Sequence, residues 1–285
     1  MTITTGTIIN DCTDDLARSR QDLRFKTLFG VQPTYIGVGS YEPIEAAGNL
    51  LDVLDVLCNF PLSRQAAEHV ILVNVAPRGE DVKQEWDNGT PFCYFRTGNV
   101  LVVSTYEERS LALFRDLGIV NAVELLDTPT VTAAAVKWGE LAAQEADKIN
   151  NSQFRSLEFL PLVAYWTLQG RKLPSTTQPL TGLASNDAQV WHVDNFEDVK
   201  TTLLSKDVDF EQGKVVTLAG SVQATCYRRL TDVPQGVTAL TIGSSGYGSG
   251  RFLEIVIGHR GQAASTHNLK VGTPLLPNNL TDKVK

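Results

Sequence analysis

Asp11 closes the short apolar run Thr7-Ile8-Ile9-Asn10-Asp11, and Asp14 and Asp15 follow close behind. An acid at the carboxyl end of an α/β strand is well placed to receive ligand hydroxyls. A carboxylate can accept from both hydroxyls of a ribose. The same residues suit two other tasks. Asp11 or Thr13 fits the cap of a helix around Leu16. A divalent cation on Asp11, Asp14 and Asp15 is also conceivable, though no Glu or His pattern accompanies them.

The run His69–Gly79 ends in Asn74, Pro77, Arg78 and Gly79. If its strand is parallel to the first, that loop shares an edge with Asp11. Arg78 is able to hold a carboxylate or phosphate bidentately, or to be a solvated residue of an ordinary turn. The segment Gln153-Phe-Arg-Ser-Leu-Glu-Phe159 places Arg155, Ser156 and Glu158 at an expected helix start. Ser156 suits either a cap or a ligand hydrogen bond. Asn74, Arg78 and Ser156 are the candidate catalytic residues. Neither a GxGxxG nor a Walker pattern is present, nor GxSxG, so a phosphate-cradling loop and a hydrolase elbow are not indicated.

A third group lies in Trp191-His-Val-Asp-Asn-Phe-Glu-Asp198. Asp194 follows an expected strand and suits an ammonium group. His192 alternates with it, and is more simply a structural strand residue. No HxH or HExxH spacing exists, and no metal site is expected. Arg260-Gly-Gln-Ala-Ala-Ser265 is a small-residue loop that would let a planar ring approach backbone amides, or is a tight turn. Of Phe92, Tyr94 and Phe95, alternation sends at least one to the core; base stacking is open to another.

These groups must be positioned by two kinds of element. Residues 7–11 and 31–39 predict strands. From Glu42 to Pro61, Ile44, Ala47, Leu50 or Leu51, Leu54 and Leu57 recur at helical spacing. Residues 69–79 predict a strand covered on both faces. Residues 91–95 and 99–105 predict a hairpin. Helices are expected at 107–118, with Gly118 near its end, over 131–148, and from Ser156 to about Gly170 with Pro161 in its early part. Residues 171–187 are rich in Pro, Ser and Thr and read as a linker. Beyond it come short strand-like runs, with Gly243–Gly250 as a flexible hairpin loop or flap and a frayed polar tail. The expected organisation is an α/β domain over 1–170, a linker over 171–187 and a β domain over 188–285.

Composition narrows the partners. The 285 residues carry 25 Lys and Arg against 32 Asp and Glu, a net charge of −7, which argues against a broad nucleic-acid surface. At 42% hydrophobic the chain can bury a substantial core. No apolar run reaches the roughly 18 residues needed to span a bilayer, so no membrane partner is expected. The opening residues carry no secretion-signal pattern. The four cysteines are dispersed without CxxC, which fits a reducing, cytoplasmic setting. The sequons at Asn88 and Asn150 read as coincidences.

The order of these motifs resembles the S-adenosylmethionine hydroxide adenosyltransferases and their relatives, the fluorinating and chlorinating enzymes. Ile8-Ile-Asn-Asp-Cys-Thr-Asp-Asp15, His69–Gly79, Thr97-Gly-Asn-Val-Leu-Val-Val-Ser-Thr105, Phe154-Arg-Ser156, Val193–Thr202 and Gly261–Gly272 carry the resemblance. It implies an N-terminal α/β sandwich-like domain followed by a smaller antiparallel β-barrel-like domain. It also implies a homotrimer that binds S-adenosyl-L-methionine, as substrate, between subunits. Carried over by position, Asp11 would bind the ribose hydroxyls and Ser156 would lie near the sulfonium or the attacking nucleophile. Asp194 would hold the methionine amino group, with Asp198 near the family Asn of that segment. Gln262, Ala263 and Ala264 would meet the adenine. The implied reaction is adenosyl transfer to water, giving adenosine and L-methionine. Halide-dependent transfer and non-catalytic nucleoside binding are the alternatives, and a metal-dependent nucleoside or sugar hydrolase is a further one. The chain departs from the family at Ala76, where an Asp precedes the Pro, and at Thr97-Gly98-Asn99, where an Asp-Asn-Gly is usual. The family's Asp-Arg-His set that activates water is therefore not retained by position.

Overall fold

The computed structural model describes residues 3–59, 68–75 and 90–276. Arg78, with Ala76, Pro77 and Gly79, lies outside the described residues, as do Asn88 and residues 277–285. The chain divides into two compact units. One holds residues 1–50 and 56–184, the other residues 51–55 and 185–285. No helix among the described residues is long and apolar enough to cross a membrane.

The first unit is built on a mixed sheet. Its strands are β1 (Ile3–Asn10), β2 (Thr34–Gly37), β3 (Glu68–Asn74), β4 (Phe92–Thr97), β5 (Val100–Thr105), β6 (Ala122–Leu126) and β7 (Thr176–Pro179), in the order β2-β1-β3-β5-β4-β6-β7. β2, β1, β3 and β5 are mutually parallel. β4, β6 and β7 join antiparallel. The segment 171–187, expected to be a linker, thus contributes an edge strand. Thr176 and Thr177 have β-branched side chains suited to a strand, and the exposed edge tolerates the Pro179 that closes it.

Aliphatic residues, most of them β-branched, fill both faces of the central strands. Ile8, Val70, Leu72, Leu101 and Val103 join a core completed by Phe25, Phe159, Val163 and Trp166. Ile9, Ile71, Val73, Val100 and Val102, on the alternate positions, are equally buried. Each such side chain contributes about 1.5–3 kcal/mol by leaving water. The expected double-sided strand at β3 is explained by this layering.

The helix α1 (Asp15–Phe29) begins at Asp14, whose carboxylate accepts from the Ala17 N–H at 2.9 Å. The cap is therefore Asp14, not Asp11 or Thr13. α1 buries only Ala17, Gln21 and Phe25, one narrow stripe at spacing four, and stops at Gly30 with φ 76°. α2 (Pro43–Asn59) forms as its periodicity predicts. α3 (Glu108–Asp116) buries Leu111 and Phe114, and Phe114 meets the Phe95 ring at 6.0 Å. The helix expected over 131–148 is two helices, α4 (Thr128–Lys137) and α5 (Ala143–Asn150). Gly139, at φ 74°, turns the chain between them. The helix expected from Ser156 is likewise divided into α6 (Arg155–Glu158) and α7 (Leu160–Leu168), with Pro161 in the first turn of α7.

The second unit holds a six-stranded sheet, ordered β10-β11-β12-β13-β9-β8. Its strands are β8 (Val190–Val193), β9 (Val199–Leu204), β10 (Val215–Leu218), β11 (Val222–Tyr227), β12 (Thr238–Tyr247) and β13 (Gly250–Ile257). The sheet curls without β10 and β8 pairing to close it. β11 and β12 run parallel, so the sheet is mixed and not purely antiparallel as expected. The long link through Pro234 and Gly236 lets the chain return in the same direction. Gly243–Gly250, expected to be a flexible hairpin loop or flap, does form a hairpin, but most of it is strand, with Tyr247 paired to Gly250. Leu240, Leu253 and Ile255 are fully buried in this unit's core.

Candidate functional site

Parallel pairing carries the ends of β1, β3 and β5 to one edge of the first sheet. Asn10 pairs with Asn74 and Val73 with Ser104. β4 starts at that same edge, where Phe92 pairs with Thr105. The carboxyl ends of parallel strands are the usual ligand edge of an α/β sheet.

Asn10 and Asn74 are both buried there. The Asn74 amide donates to Asn10 Oδ1 at 3.2 Å and to Asp11 Oδ1 at 3.4 Å. The Asp11 N–H donates to the Asn74 carbonyl at 3.2 Å. Asn10 Oδ1 also accepts from the Cys12 N–H, and Asn10 Nδ2 donates to Gln21. The Tyr35 phenol donates to the Cys12 carbonyl at 2.6 Å. Burial, reinforced by the nearby Cys12 and Asp22, pushes its ionisation well above the ordinary tyrosine range, so it remains a donor. The first acidic loop is thus tied down from two neighbouring strands.

A cleft of about 400 Å³ opens beside this loop. Asp11, Cys12 and Asn74 form one part of its lining, and Thr90, Phe92, Thr105, Arg155 and Ser156 another. Thr105 Oγ1 accepts from the Val75 N–H at 3.0 Å, which fixes the exit from β3. Arg155 donates from Nη2 to the Thr90 carbonyl at 3.0 Å, and its guanidinium carbon lies 5.2 Å from the Phe92 ring centre. Burial lowers the Arg155 pKa from its ordinary value, in the direction that desolvating a cation requires. Arg20, also on the cleft, lies over the Phe154 ring at 5.2 Å. Ser156 is buried and is the second residue of α6; the cap position belongs to Phe154. Glu158 points to other work, pairing with Arg24 at 3.0 Å.

The second unit gathers the other expected residues. Asp194 Oδ1 accepts from the Phe196 N–H at 2.8 Å and the Asp198 N–H at 2.9 Å, closing the turn between β8 and β9. β8 ends at Val193, so Asp194 lies beyond the strand, and His192 stacks on Trp191. Burial raises the Asp198 pKa to about 6, with Asp194 and Glu254 adding to the rise and Lys200 opposing it. Asp198 Oδ1 is buried without a hydrogen bond. The Gln262 N–H donates to the Phe196 carbonyl at 2.8 Å, and the Ala264 N–H to the Glu197 carbonyl at 3.0 Å. Ala263 and Ala264 are buried at the start of α8 (Ala263–His267). The 194–198 turn and the 262–264 turn are therefore neighbours, and two amides suited to a base are spent between them.

Asp11, Asn74 and Ser156 converge on one cleft, and Asp194, Asp198, Gln262, Ala263 and Ala264 converge in the second unit. Arg78 is outside the described residues. Thr90, Thr105 and Arg20 carry no signal in the sequence pattern; the signal available for Arg155 is only its adjacency to Ser156. Among the described residues no three His, Cys, Asp or Glu side chains gather as a metal site. Asp14 is occupied as a helix cap. The cleft's groups are those of a polar small-molecule site: two carboxylates, hydroxyls, two amides and two guanidinium groups beside aromatic rings.

No family model matches the chain, and no curated protein matches it. The crystal structure of an uncharacterized conserved protein from Thermotoga maritima is similar, with a TM-score of 0.63 over 95% of this chain and 98% of that one. The two sequences are 15% identical, so the likeness is one of fold.

Proposed function

We propose that the cleft binds the adenosyl group of S-adenosyl-L-methionine and that the protein transfers this group to water, giving adenosine and L-methionine. One observation carries the reading: Asp11, oriented by Asn74 at the end of β1, lines the same cleft as Ser156. These are the positions that the motif resemblance gives to the ribose and to the reacting centre.

In this reading Asp11 accepts from both ribose hydroxyls, and Asn74 holds the carboxylate in place. Ser156 positions a water in line with C5′. The water oxygen forms a bond to C5′ as the C5′–S bond breaks. The bonding pair goes to sulfur, which changes from sulfonium to the neutral thioether of methionine, and the water gives up a proton to solvent. The sulfonium is a good leaving group already, so positioning and desolvation are the main demands on the protein. The second unit is then the small barrel-like domain of the resemblance. In a homotrimer, a neighbouring copy's Asp194 would meet the amino group, its Asp198 would lie beside that contact, and its Gln262–Ala264 turn would meet the adenine. A cytoplasmic setting accords with four cysteines that form no disulfide.

Incubation of the purified protein with S-adenosylmethionine, followed by chromatography, tests the proposal. Adenosine and methionine should appear in equal amounts. A folded protein that yields neither these nor a 5′-halo product with fluoride, chloride or bromide ends it. Ala76, standing where the family has an acid, favours one second reading: saturable nucleoside binding without turnover. Calorimetry with adenosine and S-adenosylmethionine distinguishes the two.

A further inference from the structure

Arg155 is a partly buried cation that forms no ion pair among the described residues. Among the described residues its guanidinium makes one hydrogen bond, to a neutral acceptor, the Thr90 carbonyl, and the Phe92 ring lies against it. A guanidinium removed from bulk water is costly unless an anion or several acceptors face it. Every other described arginine with comparable burial has such a partner: Arg115, for example, bonds both Asp116 and the Leu180 carbonyl. A second observation is independent of Arg155. The Thr90 side chain is 7% exposed, lines the same cleft, and its Oγ1 has no hydrogen-bond partner. Ser156 adds a further hydroxyl, itself buried at 6% exposure. Of the acids on this cleft, Asp14 is engaged by the Ala17 N–H and Asp11 by Asn74 and Cys12.

We infer that this side of the cleft is an oxyanion site, in which Arg155 and the Thr90 and Ser156 hydroxyls hold a carboxylate or phosphate of a small ligand. The planar fork of a guanidinium matches two oxygens of such a group, and the two hydroxyls supply donors beside it. The Phe92 ring packs against the guanidinium. The inference does not require the adenosyl-transfer reading, since it concerns only the charge that the cleft accepts.

Inorganic phosphate and acetate, titrated separately by calorimetry at constant ionic strength into the full chain, test it. The wild-type protein should bind at least one, and Arg155→Met should weaken that binding roughly 10- to 100-fold. Arg155→Lys should recover part of the loss, because it restores the charge without the fork. A response to phosphate alone assigns a phosphate, and a response to acetate alone a carboxylate. Thr90→Val, nearly isosteric, should weaken the anion several-fold while leaving the protein folded by circular dichroism. It serves as the second test should Arg155→Met unfold. Absence of binding by the wild type, or equal affinity in the wild type and Arg155→Met, overturns the inference. Unchanged affinity in Thr90→Val does so as well. Adenosine formation from S-adenosylmethionine is a separate readout, so either proposal can fail alone.

Discussion

Asn74 stands opposite Asn10 in the β1–β3 ladder, and its side-chain amide reaches two acceptors, Asn10 Oδ1 and Asp11 Oδ1. One buried amide thereby couples the end of one strand to the loop that leaves its neighbour. Asn74→Ala should destabilise the protein by about 1–2 kcal/mol, the scale of a lost buried hydrogen bond. It should also weaken S-adenosylmethionine binding, because Asp11 loses its orienting donor. Urea denaturation and calorimetry measure the two effects. Unchanged values in both would remove Asn74 from the site.

Asp11→Asn keeps the shape of the side chain and removes its charge. Under the proposed function, nucleoside affinity should fall about 10-fold, the scale of charge-assisted hydrogen bonds to a diol. The melting temperature should change little, since the cap of α1 is Asp14. Adenosine and 2′-deoxyadenosine should bind the wild type with different affinities and the variant with similar ones. Equal discrimination in both proteins would sink the ribose assignment.

Asp198 gives a pH-dependent prediction in the second unit. Its pKa in the folded protein is raised from 3.8 to about 6, first by burial and then by Asp194 and Glu254. Between those values the folded state holds the proton more tightly than the unfolded chain, so stability falls as pH rises from about 4 to 6. Above that window the loss is complete and the curve from this group is flat. Asp198→Asn removes the titration, and should flatten the urea midpoint over this window and raise it at neutral pH. A variant with the wild-type slope would show that Asp198 is not the group responsible.

Gly6 lies in β1 against the Phe25 ring of α1, and a Cβ at this position would overlap the ring atoms Cζ and Cε1. Phe25 is fully buried and packs against the Phe29 ring at 4.5 Å. Gly6→Ala should cost about 1–3 kcal/mol, as overpacking of a filled core does. Pairing it with Phe25→Leu should recover part of that loss. Thermal melts of the single and double variants read the coupling; strict additivity would disprove the contact.

Much of the fold could be read from local pattern. The run at β3 is apolar at nearly every position because both faces of its sheet are covered, and α2 shows its apolar stripe openly. α1 was not expected as a full helix, because it buries only three residues and one of them is the polar Gln21. The helix expected over 131–148 and the short helix expected from Ser156 are each divided. Gly139 breaks the first with a positive φ, and in the second Pro161, which has no N–H to give to the Leu157 carbonyl, divides the opening turn from α7. β7 was hidden in a segment of linker-like composition. Its two threonines suit a strand, but it is the ladder to β6 that makes it one.

By itself the sequence determined that an acid follows the first strand, that a serine opens a later helical turn, and that an α/β region precedes a β-rich one. These are properties of neighbouring residues, set by side-chain period and turn chemistry. Only the tertiary structure decided that Thr90, Phe92 and Arg155 stand at the same edge as Asp11 and Asn74. That convergence depends on β4 running antiparallel beside β5, and on the register that sets Phe92 against Thr105. Strand order and register are chosen by which distant faces bury one another, and no local run of residues encodes that choice.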